Sequence, residues 1–166
     1  VLDEMPTHED LLVFAHHEQI DAVTDVLYEH DVTYHRYTQS EGPAERERLL
    51  ESFAQADDGL DALVGIHCLD EGVDISSAQT AVLLSSTGNP RQFVQRRGRV
   101  LRQHEDKDVA RIYDFIVVPP RDRFEDLLDS ERRLIRTQLD RHEKFVQTAI
   151  NADDARATVR ELREAI

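Results

Sequence analysis

Leu11-Leu12-Val13-Phe14-Ala15 is an apolar run with no polar position in it, which points to a strand covered on both faces, as strands of parallel sheets are. A strand with two buried faces needs helices above and below it, and the sequence goes on to supply them. Ile20, Val23 and Leu27 recur at helical spacing, and a second short run, rich in β-branched and aromatic residues, follows from about Val32 to Tyr37. This pattern predicts a β-α-β unit. Pro43 suits the first turn of another helix, where its missing N–H is not needed, and Leu49, Leu50 and Phe53 fall on that helix's inner face. The loop Asp57-Asp58-Gly59 ends it. Strand-like runs return at Ala62 to Ile66, Ala81 to Leu84 and Ala110 to Val118, with a helical segment from about Pro90 to Leu101 before the last of them. The alternation predicts an α/β fold: a parallel sheet with helices on both faces, binding its ligands at the carboxyl ends of the strands.

A chain of 166 residues, 40% of them hydrophobic, can bury one core and carry a small appendage. Pro119-Pro120 punctuates the alternation. The expected organisation is therefore an α/β domain over 1–120 and a helical extension over 121–166, the latter marked by Phe124, Leu127, Leu128, Leu134, Ile135, Leu139, Phe145, Val146 and Ala149. Asn151-Ala152-Asp153 can break that helix and cap another, with Val159, Leu162 and Ile166 on its apolar side. No stretch reaches the ~20 apolar residues of a membrane span, and Val1 to Asp10 lacks the features of a secretory signal. A soluble, cytoplasmic protein with no membrane partner is expected. The single cysteine, Cys68, excludes an internal disulfide, and no ligand spacing points to a metal.

With 34 acidic against 20 basic residues, the formal net charge is −14, so most of the surface repels nucleic acid and any contact with it must be local. Lys107 and Lys144 are the only lysines, and arginine carries the positive charge. This composition reads as a salt-adapted surface, of the kind expected in a halophilic archaeon, with an ordinary acidic protein as the alternative.

The segment Gln95-Arg96-Arg97-Gly98-Arg99-Val100-Leu101-Arg102 concentrates that positive charge. On a helix, Gln95, Arg99 and Arg102 share a face. Guanidinium groups match phosphate oxygens with a planar fork of donors, so such a face can stabilise charge on a transferred phosphoryl group. A solvated arginine helix or a set of surface ion pairs would satisfy the same residues. A second segment, Ala62-Leu63-Val64-Gly65-Ile66-His67-Cys68-Leu69-Asp70-Glu71-Gly72-Val73-Asp74-Ile75, runs from a buried strand into an acidic, glycine-containing loop.

Together, in this order and spacing, the two segments resemble the fifth and sixth signature motifs of superfamily 2 helicases. The resemblance spans about Leu11 to Val118. Leu12 to Ala15 resembles the fourth motif, and Glu45-Arg46 with Phe53 resembles the helix that follows it. The wording Leu-Asp-Glu-Gly-Val-Asp-Ile, the turn Ser-Ser-Thr-Gly-Asn-Pro-Arg and the arginine helix are most similar to archaeal XPB-like DNA repair helicases, although restriction and remodelling translocases share much of it. The resemblance implies a RecA-like domain, the second of a pair that clamps ATP, with the phosphates and Mg2+ held mainly by the first. Arg99 and Arg102 match the arginine fingers, and Gln95 matches the residue that couples nucleotide to DNA. Asp74 matches the residue reaching the ribose, Gly72 permits close backbone approach beside it, and Glu71 steadies the loop or pairs with an arginine across the cleft.

Translocating helicases grip the backbone of one strand with little base readout. His16, Ser85, Ser86 and Thr87 are the matching candidates. The fifth motif commonly has Thr or Ser where this chain has Ile66, so a phosphate contact is lost there and His67 or a backbone N–H would have to replace it. His67 beside Cys68 is not a metal site, because adjacent side chains diverge, and Cys68 has no base partner to make it a nucleophile. The chain contains neither a Gly-x-x-x-x-Gly-Lys-Thr/Ser phosphate cradle nor an Asp-Glu-x-His/Asp magnesium motif behind an apolar strand. The expectation is a motor domain that works with a separate first RecA-like domain, binds DNA, and hydrolyses no ATP alone. The rival expectation is a degenerate RecA-like scaffold that binds a partner and catalyses nothing.

Overall fold

In the computed structural model, residues 2–38, 40–55, 59–65, 75, 78–84 and 109–166 are described. Strands β1 (Leu11–Phe14), β2 (Tyr34–Tyr37), β3 (Ala62–Gly65), β4 (Thr80–Leu83) and β5 (Arg111–Asp114) form one sheet in the order β2-β3-β1-β4-β5. The first strand thus lies in the middle. It pairs in parallel with β3 and β4, and β2 pairs in parallel with β3. Helix α1 (Ile20–Glu29) connects β1 to β2, and α2 (Pro43–Phe53) connects β2 to β3.

The apolar runs become the three inner strands, every residue of which is buried. Leu11, Val13 and Ala15 join Ala62, Val64 and Val82 in one core with Ile20 and Leu27 of α1. Leu12, Phe14 and Leu63 alternate to the opposite face and are completely buried as well. A sheet covered on both sides cannot carry polar alternation, which is why these strands read as continuous apolar runs. Pro43 opens α2 as expected, with Leu49 and Phe53 buried. The return to β3 passes Gly59, where a side chain would run into the carbonyls of Ser52 and Gln55.

The chain divides into two compact units, Val1–Tyr113 and Asp114–Ile166. The second is helical: α3 (Asp129–Val146), α4 (Ala152–Thr158) and α5 (Arg160–Glu164) follow a 3-10 turn over Arg121–Asp126. Leu127, Ile135, Leu139 and Val159 form its core, with Ile116, Leu162 and Ile166 packed against it. Two details differ from the periodicity. The helical pattern from Arg121 is interrupted, since Leu127 and Leu128 are extended (ψ 131° and 154°) and α3 starts only at Asp129. The apolar run ending at Val118 leaves the sheet at Asp114, because the Val117 N–H donates to Gln138 Oε1 at 2.8 Å and its carbonyl accepts from Gln138 Nε2 at 3.0 Å. A buried glutamine replaces the strand neighbour.

Candidate functional site

Parallel register fixes where chemistry can be displayed. Phe14 lies opposite Gly65 of β3 and Leu83 of β4. Just beyond, the Ala15 N–H donates to the Gly65 carbonyl at 3.1 Å and the Leu84 N–H to the Phe14 carbonyl at 3.0 Å. The chain therefore leaves β1, β3 and β4 side by side at one edge of the sheet. His16 follows β1 there, the segment carrying His67, Glu71, Gly72 and Asp74 begins after Gly65, and the segment carrying Ser85, Ser86 and Thr87 begins after Leu84. Those seven residues, together with Gln95, Arg99 and Arg102, lie outside the described residues. Between the segments, Ile75 and Ala78 are buried, and the Ala78 N–H donates to the Ile75 carbonyl at 3.2 Å.

His16 has a defined setting. The buried residues Ala15 and Ile20 bracket a 3-10 turn over His17–Gln19, and the turn is closed reciprocally. The His16 N–H donates to Gln19 Oε1 at 2.8 Å, and the Gln19 N–H donates to the His16 carbonyl at 2.8 Å. The side chains of His16, His17 and Glu18 are exposed, and they converge. The His16 and His17 ring centroids are 4.0 Å apart, and the two oxygens of Glu18 lie 3.9 Å from His16 Nδ1 and 3.9 Å from His17 Nε2. The sequence singled out His16 alone. His17 and Glu18 carry a signal that was available, namely two further polar side chains placed directly after the apolar run.

The loop after β2 is built differently. The Thr38 N–H and hydroxyl donate to Glu41 Oε2 at 2.6 and 2.9 Å, and Arg46 of α2 donates to the Thr38 carbonyl at 2.7 Å. Arg46 also lies over the Tyr37 ring, 5.7 Å from its centroid. Burial pushes the Glu41 carboxyl up, but the two Thr38 donors outweigh it and hold the group below its ordinary range. Arg46, one of the residues that carried the resemblance, thus fixes the end of a strand. Magnesium takes a shell of oxygen ligands, usually with carboxylates among them, and the only carboxylates in the loops after β1 and β2 among the described residues are Glu18 and the already engaged Glu41; these loops do not fit that ion.

The helicase conserved C-terminal domain family matches residues 1–104. The chain is 40% identical over 68 residues to the DNA 3'-5' translocase XPB2 of Sulfurisphaera tokodaii, a match covering 41% of this chain and 15% of that protein. It is 32% identical over 95 residues to a SWI/SNF-related matrix-associated actin-dependent regulator of chromatin, subfamily A-like protein 1, of Xenopus tropicalis, covering 57% of this chain and 10% of the relative. The chain thus spans a small part of the length of these relatives. Among solved structures, the C-terminal part of the Fun30 ATPase domain superposes with a TM-score of 0.59 at 18% identity, over 82% of this chain and 48% of that one. The C-terminal domain of the DEAD-box protein Dbp5 superposes with a TM-score of 0.55 at 18% identity, over 87% and 84% respectively.

Proposed function

The chain belongs to the helicase conserved C-terminal domain family, as the second RecA-like domain of a superfamily 2 helicase, and on that premise we propose that it is one lobe of an ATP-driven DNA translocase of the XPB-like kind, working in DNA repair. The observation that carries this reading is the register that brings the ends of β1, β3 and β4 to one edge, because the segments with the signature wording start there. ATP would sit between this domain and a first RecA-like domain whose residues would hold the phosphates and Mg2+, the ion supplying neutralisation of phosphate charge. From this side Arg99 and Arg102 reach the γ-phosphoryl group as arginine fingers, and Gln95 links the nucleotide to DNA. Asp74 accepts from the ribose hydroxyls, Gly72 gives the backbone close approach, and Glu71 steadies the loop or pairs with an arginine across the cleft. His16, Ser85, Ser86 and Thr87, with His67 or a backbone N–H in place of the missing hydroxyl at Ile66, hold the backbone of one strand. ATP binding closes the two lobes and hydrolysis reopens them. The similarity to the chromatin regulator favours a remodelling translocase as the second reading.

Lacking a phosphate cradle within its 166 residues, the isolated chain is expected to show no magnesium-dependent ATP turnover, with or without DNA. Turnover by the pure chain that disappears on Arg99→Ala would place the whole nucleotide site within it and overturn the shared-site reading.

A further inference from the structure

We propose that His16, His17 and Glu18 form a binding site for a divalent transition-metal ion, and that the ion's open coordination positions take a phosphate oxygen of the bound strand; the second half rests on the proposed DNA contact at this edge. One ligand atom from each residue can be chosen so that all three lie within 4.8 Å of one another. Four-coordinate zinc, with bonds of ~2.0 to 2.1 Å, sets its ligand atoms about 3.4 Å apart. The gap closes by small side-chain rotations, which exposure permits: the side chains are 49%, 69% and 79% accessible.

Consecutive residues seldom converge, and that geometry argues against metal at His67 and Cys68. Here the backbone is turned tightly, and the imidazoles meet at 4.0 Å. The turn is also held in advance of any ligand. Ala15 and Ile20 bury its two ends, and the paired His16 and Gln19 hydrogen bonds close it. An ion would therefore order three side chains without having to order the backbone, which lowers the entropic cost of binding.

The donor set selects the ion. Two imidazoles and one carboxylate suit zinc, cobalt, nickel or copper rather than magnesium or calcium, which take oxygen shells. Three protein ligands leave a fourth position open, as in catalytic rather than structural zinc sites. That position matters on this surface. The chain carries a net charge of −14, and Glu18 adds a negative group to the edge where a phosphate backbone would lie. A bound dication becomes the largest local charge and reverses the sign of the site. A metal-bridged phosphate would thus give the loop after β1 an attraction in addition to the direct contact proposed for His16.

Titrating the 166-residue chain with Co2+, followed by its visible absorption bands, and competing Zn2+ against a chromophoric chelator tests the site directly. One equivalent is expected to bind at neutral pH, with affinity about tenfold or more weaker in His17→Ala and in Glu18→Gln. The double variant His8→Ala/His30→Ala, which removes a separate ring pair, should bind as the parent does. No uptake, or uptake unchanged in His17→Ala and Glu18→Gln, overturns the metal site. The phosphate half is read from the affinity of the chain for a single-stranded oligonucleotide in Zn2+ and in EDTA, where a zinc-dependent gain that vanishes in His17→Ala is expected. Zinc bound without that gain overturns the bridge. If His16→Ala weakens strand binding in EDTA while no metal binds, this inference falls and the DNA contact at His16 stands. If metal binds but His16→Ala leaves strand binding in EDTA untouched, the contact itself falls.

Discussion

Asp31 holds a backbone φ of 55°, in the left-handed region that costs a residue with a Cβ roughly 1–2 kcal/mol. The position demands it. The Asp31 N–H donates to the Tyr28 carbonyl at 3.1 Å and the Val32 N–H to the Leu27 carbonyl at 3.0 Å, the paired bonds that end a helix through a left-handed residue, while Val32 turns back into the core. Asp31→Gly should therefore stabilise the chain by about 0.5–1 kcal/mol, seen as a higher urea midpoint with unchanged slope; a lower midpoint would show that the carboxylate contributes more than the backbone strain costs. Gly59 is the converse case, irreplaceable because carbonyls of the preceding helix end crowd it. At this scale the sequence was legible where one residue type has one use, as with Pro43 at a helix start. It was illegible at Asp31, since aspartate serves in caps, turns and ion pairs alike.

Within the second unit, α3 acts as a spine. Arg141 donates from Nε to Asp114 Oδ2 at 3.2 Å and sets Nη2 2.9 Å from Oδ1, both side chains being largely buried. Burial pushes the Asp114 carboxyl up and Arg141 only partly draws it back, so its contribution to stability falls as pH rises above the ordinary value of 3.8. Glu143, further along α3, behaves oppositely. It accepts from Arg156 of α4 and Arg163 of α5, each at 2.9 Å, and the Arg156 hydrogen bond, ahead of the charges of both arginines, holds it below its ordinary 4.5. A depressed carboxylate stabilises above its unfolded value, and that stability is lost as pH falls through the folded one. Glu143→Gln should accordingly lower the parent's stability at neutral pH, with the difference shrinking as pH drops below about 4.5. Urea melts of both proteins from neutral to acid pH measure that difference, in which the Asp114 effect cancels. A gap independent of pH would show that the glutamate's charge is not what joins the helices. Interactions like these explain the limits of periodicity: α3 was legible from its apolar stripe, but its true start depends on Glu131 accepting from the Leu128 N–H at 2.8 Å, and the end of β5 depends on Gln138, far away in sequence.

Over the whole molecule, the net charge of −14 makes self-repulsion a standing cost of compactness in dilute buffer. Screening shortens the reach of that repulsion from ~30 Å at 0.01 M salt to ~3 Å at 1 M. Thermal midpoints should rise with KCl; midpoints that stay flat or fall would count against a salt-adapted surface. The parallel α/β architecture was legible because strands buried on both faces read as short continuous apolar runs between helical patterns, whereas the order β2-β3-β1-β4-β5 was not, since right-handed connections fix the hand of each crossover and not the neighbour each strand takes. The nucleotide and strand contacts were legible only as motif wording, since arginines on a helix serve equally as surface ion pairs, and Arg99 and Arg102 lie outside the described residues. Their role is therefore best settled by chemistry: single-turnover ATP hydrolysis and nucleotide binding by the proposed two-lobed enzyme and its Arg99→Ala, Arg99→Lys and Arg102→Ala variants. Fingers that act on the transition state predict hydrolysis slowed by ~10³ to 10⁵ in each alanine variant with ATP binding little changed, and poor rescue by lysine, which lacks the planar fork. Near-normal turnover in both alanine variants would contradict it.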